Sequence, residues 1–472
     1  MFLDLVPAPD WLNSGHTAWQ LTAATLVGLM SVPGLAILYA GLMKRKWALN
    51  SALMVLYAFG ATLVVWTLWG YKMSFGSPAT DVLHFIGIPG TILSPNDLEG
   101  QAVIPLLKGA IPNLQFPLST LAYFQFVFAA ITVILLAGAV LGRFSFRAWM
   151  IFVPVWITVV YSVNAFSLWG GGWLGVMPSW LSGIAGAGAV DYSGGYVIHV
   201  GAGISGIVAA WVIGPRLLAD RTDNRPSNVI AAVTGAGLLW LGWNGFNGGD
   251  PYFAGADASA AIMNTNLAAG TAMIVWMFLD VFVVGKPSAG GMINGMVAGL
   301  VAITPAAGYV DGYGALAIGV AAGIVPFFSF NYLVKIPPFN RIDDTLGVLH
   351  THLIAGAVGG LMVGLLADPN VIVYPGTGKT ASAAITGLFF GNWQQFVAQV
   401  IALLFILVFD GLVTFVLLKL ISLLVPLRMT PAQLEIGDEA IHGDAAYELM
   451  PVPPGVLSTE VAAAAATHAS TQ

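Results

Sequence analysis

Apolar stretches long enough to cross a bilayer recur along nearly the whole of this chain, and they restrict it to a bundle of transmembrane helices. A hydrocarbon core of ~30 Å takes about 20 residues of helix. Bounded by charge, Gly or Pro, the runs predict helices near 16–43, 47–73, 118–142, 147–168, 193–216, 228–249, 260–285, 290–308, 312–335, 348–368 and 393–422. The composition excludes a soluble reading: 58% of the residues are hydrophobic and 8% charged, where soluble chains carry roughly 25% charged residues. Glycine, at 57 residues, lies largely within the apolar runs, where it suits close packing of helix backbones in lipid. With no cysteine, disulfides, thiol catalysis and cysteine-ligated metals are excluded. The opening MFLDLVPAPDWLNSG has no basic segment before its first apolar run, so no cleavable signal peptide is expected.

Basic residues test the count independently. Lys44, Arg45, Lys46, Arg143, Arg147, Arg216, Arg221, Arg225, Lys286, Lys335 and Arg341 follow odd-numbered helices, and Lys419 and Arg428 lie at the end of the eleventh. Only Lys72, Lys108 and Lys379 fall on the other side, so the positive-inside rule predicts an external N-terminus and a cytoplasmic C-terminus. Residues 1–425 then form the membrane domain, with 76–117 as the one long outer loop. Residues 426–472 form a polar cytoplasmic tail whose Ala/Ser/Thr-rich end is expected to be disordered.

One pattern occurs twice. DYSGGYVIHVGAGISG from Asp191 and DTLGVLHTHLIAGAVG from Asp344 both read D-x7-H-x2-A-G-x2-G, in predicted helices five and ten. Five helices per half turn the second half upside down relative to the first, giving an inverted 5+5 repeat (about 16–216 and 228–368) and a final helix. His199 and His352 then lie at equivalent depths and can meet at the centre. A single membrane-embedded histidine is often a satisfied core residue, but two related by a repeat mark a pathway. Metal binding is disfavoured, since apart from His350 neither copy has a second imidazole or carboxylate close by. On a helix the rings of His350 and His352 diverge by about 200°. The Gly-Gly after Asp191 favours a carboxylate that caps the amides opening helix five over one that binds substrate. Asp280 and Asp410 are expected at interfaces between helices or subunits.

Several stretches carry a resemblance to the Amt/Mep/Rh ammonium transporter family: PGLAILYAGL from Pro33, FQFVFAAIT from Phe124, WGGG from Trp169, DYSGGYVIH from Asp191, GWNGFNGG from Gly242 and GLVAITPAAGYV from Gly299. The match runs from about Gly15 to Tyr447. It implies a multi-pass cell-membrane protein, a homotrimer with one pore per subunit, no cofactor, and ammonium or ammonia as the molecule moved. By residue-wise match, Trp169 and Phe128 form an outer recruitment site, Phe128 and Phe246 gate the pore, and Trp243 lines it. Asp191 is the structural acid near the site, and His199 with His352 form the twin-histidine pair. An aromatic face attracts a small cation by ~0.5–2 kcal/mol, enough to concentrate it without trapping it. The tail LRMTPAQLEIGDEAIHGDAAYEL resembles the family's docking segment for a PII-type signalling protein, matching at Glu435, Asp438, His442, Gly443 and Tyr447, with Asp444 in place of a glutamate.

Within the membrane part the chain departs from the family pattern at four positions. Asp250 stands where a small hydroxyl residue is usual, His350 where glycine is common, Gly347 where an acid is frequent, and Phe126 where many relatives have a small residue. Asp250 either adds negative charge to the recruitment site or caps the outer loop, as the Pro251 after it favours. The main functional expectation is a transporter moving ammonia with or without a proton. An ammonium sensor signalling through the tail and a neutral-gas facilitator of the Rh kind are the alternatives. No nucleophile, metal cluster or phosphate loop suggests an enzyme, and nothing suggests nucleic-acid binding.

Overall fold

The computed structural model describes residues 8–79, 84–104, 114–176, 179–373 and 383–447. Lys108, Lys379 and the Ala/Ser/Thr-rich end of the tail lie outside these residues. The described chain is an all-α bundle of eleven apolar helices: α1 (Ser14–Leu42), α2 (Arg45–Phe75), α3 (Leu118–Val140), α4 (Phe146–Leu168), α5 (Gly195–Ile213), α6 (Val229–Gly249), α7 (Ala256–Val284), α8 (Ala289–Ile303), α9 (Gly312–Lys335), α10 (Leu349–Leu366) and α11 (Trp393–Ser422). Ten have the length and hydropathy to span a membrane, and α8 is a shorter apolar helix. Where the sequence predicts a helix to residue 308, α8 stops at Ile303, because Thr304 and Pro305 turn the chain beneath the start of α5. A pair of two-residue strands, Ile372–Val373 and Ala383–Ala384, ties the loop before α11.

The packing follows from the side chains. Nearly every residue of α3 is buried, so α3 is the interior helix. At the periphery α7 and α11 expose Met263, Phe282, Val408 and Leu412, an apolar surface that suits lipid or another apolar chain and not water. Asp410 of α11 is wholly buried and accepts from Asn164 of α4, and Asp280 at the end of α7 accepts from Ser288 before α8. Both acids therefore sit between helices.

The two copies of the repeated pattern share one local geometry. Asp191 caps the start of α5 through the amides of Gly194, Gly195, Tyr196 and Val197, and Asp344 caps the start of α10 through those of Val348 and Leu349. Each helix bears its histidine in a wide π-type turn, Gly195–Val200 or Leu349–Ile354. The glycine four residues after each histidine lies against the facing copy. A Cβ on Gly203 would stand 2.7 Å from the Leu353 amide nitrogen, and one on Gly356 2.8 Å from the Gly195 carbonyl. The second motif glycine also repeats its role, Gly206 packing on α3 and Gly359 on α8.

Lysines and arginines gather at one face of the bundle. Lys44 and Lys46 pair with Asp220, Arg216 pairs with Asp343, and buried Arg143 donates to the Gly214 and Ala139 carbonyls and to Thr345. Burial pushes the Asp343 carboxyl up, but its bonds to Arg216 and the nearby Arg143 charge hold it below the ordinary carboxylate range. On this face the tail segment Pro431–His442 docks. Asp438 accepts from the amides of Leu49 (2.8 Å) and Asn50 (2.9 Å) and so caps the α-helical part of α2 that begins at Ala48, where Trp47 offers no side-chain cap.

Candidate functional site

Six of the residues singled out from the sequence, Trp169, Phe128, Phe246, Trp243, His199 and His352, form one column through the bundle. Phe128 of α3 and Phe246 of α6 stack with ring centroids 4.3 Å apart and 17° between their planes. Trp169, just past the end of α4, stands edge-on to Phe128 at 6.4 Å. On the other side of Phe246, the His199 ring lies 6.0 Å away and nearly parallel, and His352 follows at 5.4 Å. Trp243 flanks His199 at 5.4 Å, held by a bond from its indole nitrogen to Thr304. Phe128, Phe246, His199 and Trp243 are all fully buried.

Local structure explains how each side chain reaches the column. Phe246 and Trp243 are three residues apart on α6 and so share a face. α6 can lie against α1 because glycine faces it: a Cβ on Gly242 would stand 2.5 Å from the Met30 Cβ. His199 and His352 meet because the Gly203 and Gly356 contacts let α5 and α10 cross at backbone distance. The loop before α5 then joins the Trp169 end of the column. Trp169 donates to the Asp191 carbonyl at 2.7 Å, and the Ser193 hydroxyl donates to the Asp250 carboxylate.

The two imidazoles approach through Nδ1, 3.3 Å apart. Only one of those nitrogens can carry the shared hydrogen, so one ring donates and the other accepts. Each ring's remaining nitrogen, Nε2, then takes the opposite role to its own Nδ1. The Nε2 of His199 is buried and has no partner among the described residues. A buried polar atom left so is costly, and it suits a small hydrogen-bonding guest.

The departures from the family pattern fall at different distances from this column. Asp250 directly follows α6, which runs three residues past Phe246, and its carboxylate is held by Ser193. His350 turns away from His352: its Nδ1 lies 2.6 Å from the Ser329 hydroxyl, and it lines a cavity of about 510 Å³ at the basic face with Lys44, Arg216, Asp220 and Asp344. Gly347 adopts φ +76, a conformation open to glycine at no steric cost. Phe126 packs edge-on to Phe59 of α2 and not onto the column. Ser193, Thr304 and Phe124 escape a reading of sequence alone. Ser193 and Thr304 lie inside quoted motifs, but nothing in those strings says that they hold Asp250 and Trp243. Phe124 packs at a tilt against Phe128, with ring centroids 4.7 Å apart, one helical turn away.

Comparison with known proteins gives the family. The model of the Ammonium Transporter Family matches residues 18–447. Ammonium transporter 2 of Arabidopsis thaliana is 48% identical over 450 residues, covering 94% of this chain and 90% of that protein. Ammonium transporter 3 member 2 of Oryza sativa subsp. japonica is also 48% identical, over 93% and 91%. Among solved structures, Mep2 of Saccharomyces cerevisiae superimposes with a TM-score of 0.75 at 29% identity, covering 89% of both chains.

Proposed function

This chain belongs to the ammonium transporter family, and from that premise we propose that it recruits ammonium at Phe128 and Trp169, removes a proton, and conducts ammonia past His199 and His352. The recruitment site extends to the Asp250 side chain, which Ser193 holds beside the Asp191 loop. Phe128 and Phe246 form the gate and Trp243 the wall beside it. The single observation that carries this reading is the imidazole pair, buried behind a closed aromatic stack with the His199 Nε2 unpartnered.

The physical argument turns on charge. Moving an ammonium-sized ion into an apolar interior costs of order 20 kcal/mol in the idealised limit and still several after relaxation. Potassium has no way around that barrier. Ammonium does, because burial depresses the pKa of a cationic amine by up to ~3–5 units and makes proton loss feasible at the mouth. The neutral molecule then needs hydrogen-bond partners along an otherwise apolar path, and imidazoles both donate and accept. The basic residues at one face support a cytoplasmic location for that face and for the tail, with the N-terminus outside. The lipid-suited surfaces of the bundle are consistent with assembly as a homotrimer in the cell membrane. The Asp438 cap supports reading the tail as a regulatory segment that receives a PII-type partner.

Flux and current in liposomes test the reading. Wild-type protein is expected to move ammonium and not potassium, and replacement of both histidines, His199→Leu with His352→Leu, is expected to abolish proton-coupled movement. Wild-type rates in the double variant would overturn it.

A further inference from the structure

Tyr252 is the one residue other than glycine with a positive φ among the described residues, at 61°. A bulky side chain rarely adopts that conformation, and such outliers persist where surrounding contacts hold them. Here the contacts are specific. The Tyr252 amide donates to the Gly249 carbonyl, closing the turn after α6, and its ring stands edge-on to Phe124 at 6.2 Å. Its hydroxyl accepts from the Gln125 side chain at 3.0 Å. Phe124 is fitted over Gly249, where a Cβ would lie 2.4 Å from its ring, and it meets the Phe128 ring at a tilt of 49°. A rigid chain of rings therefore runs from Tyr252 through Phe124 to the outer member of the phenylalanine pair. Tyr252 belongs to the loop at the end of α6 remote from the basic face, which is the end from which a cation would come. Gln125, though buried, keeps its side-chain carbonyl oxygen without a partner among the described residues, beside these rings.

We infer that Tyr252, braced by Gln125, is a specificity-determining residue that walls the approach to Phe128 and limits the size of cation reaching the phenylalanine pair. The inference rests on the transport reading above and deepens it. Ammonium presents four N–H donors and no carbon, so aromatic faces and one spare carbonyl oxygen suit it. Methylammonium carries the same charge with one added methyl group, which must find room against a ring whose backbone cannot easily shift. A glycine would take the same φ at no steric cost. The tyrosine is kept, on this reading, for its ring.

The test compares ammonium and methylammonium uptake in liposomes containing the full chain. Tyr252→Gly removes the ring and relieves the backbone, so it is expected to insert normally and to raise the methylammonium-to-ammonium ratio about tenfold, the discrimination one carbon commonly meets in a fitted apolar site. Tyr252→Asn also tolerates the left-handed conformation and carries the same expectation. Tyr252→Phe keeps the ring, loses the Gln125 bond, and is expected to stay near the wild-type ratio. Ammonium transport with an unchanged ratio in the glycine and asparagine variants overturns this proposal alone. A phenylalanine variant shifted as far as the glycine variant overturns the assignment to the ring. Absence of ammonium uptake by wild-type protein overturns the transport reading and this proposal together.

Discussion

Gly203 of α5 lies in backbone contact with Leu353 of α10, where an added Cβ would stand 2.6 Å from the Leu353 Cβ and 2.7 Å from its amide nitrogen. This crossing is what brings His199 and His352 to 3.3 Å. Gly203→Ala must push the two helices apart, and overpacking of this kind costs about 1–3 kcal/mol. The expected result is a lower melting temperature in detergent and a large loss of ammonium flux. Gly237→Ala is the control, because a Cβ there meets nothing within 4 Å. Equal flux in the two variants would show that the imidazole contact does not depend on this crossing.

Asp250 offers a second test. Its carboxylate is bound by Ser193 next to the loop that also receives Trp169. If it draws the cation, Asp250→Ser raises the half-saturating ammonium concentration at low salt and flattens its salt dependence, with the maximal rate little changed. An unchanged half-saturation value in folded Asp250→Ser protein leaves only its bond to Ser193 as its purpose.

The tail is expected to matter for regulation and not for insertion. Asp438→Ala strips the Leu49 and Asn50 amides, in the first α-helical turn of α2, of their cap, a loss of about 0.5–2 kcal/mol where a helix cap is removed. Limited proteolysis should cut the tail of this variant faster, while the helical bundle melts nearly as before. Cleavage at the wild-type rate would mean that the Asp438 bonds do not hold the segment.

The Arg216–Asp343 pair sets an acid dependence. Asp343 is held below the ordinary value of 3.8 in the folded protein, so the pair contributes fully above that value. The contribution is lost as pH falls through the lower folded one. Wild-type protein should therefore be more thermostable than Asp343→Asn at pH 6, and the difference should shrink as the pH approaches 3. A difference constant over that range would contradict the assignment.

Much about this protein was legible in the linear pattern. The length of each apolar run counts the crossings, since a bilayer imposes one helix length, and the eleven helices lie where that count puts them. The D-x7-H-x2-A-G-x2-G repeat relates two histidines at matching depths, because repeated spacing on a helix is repeated geometry. Asp191 followed by two glycines reads locally as a cap, since a carboxylate and the amides it binds are neighbours in sequence.

Only the tertiary structure decided which side chains face one another across helices. Phe126 and Phe128 are two positions apart, yet one meets Phe59 and the other Phe246, because each ring points to a different neighbouring helix. His350 meets Ser329, Asp250 meets Ser193, and Asp438 caps a helix almost the whole chain away. None of these pairs has a characteristic spacing. Each depends on how closely two helices cross, and that distance is set by what faces each glycine, which a sequence records as a glycine and nothing more.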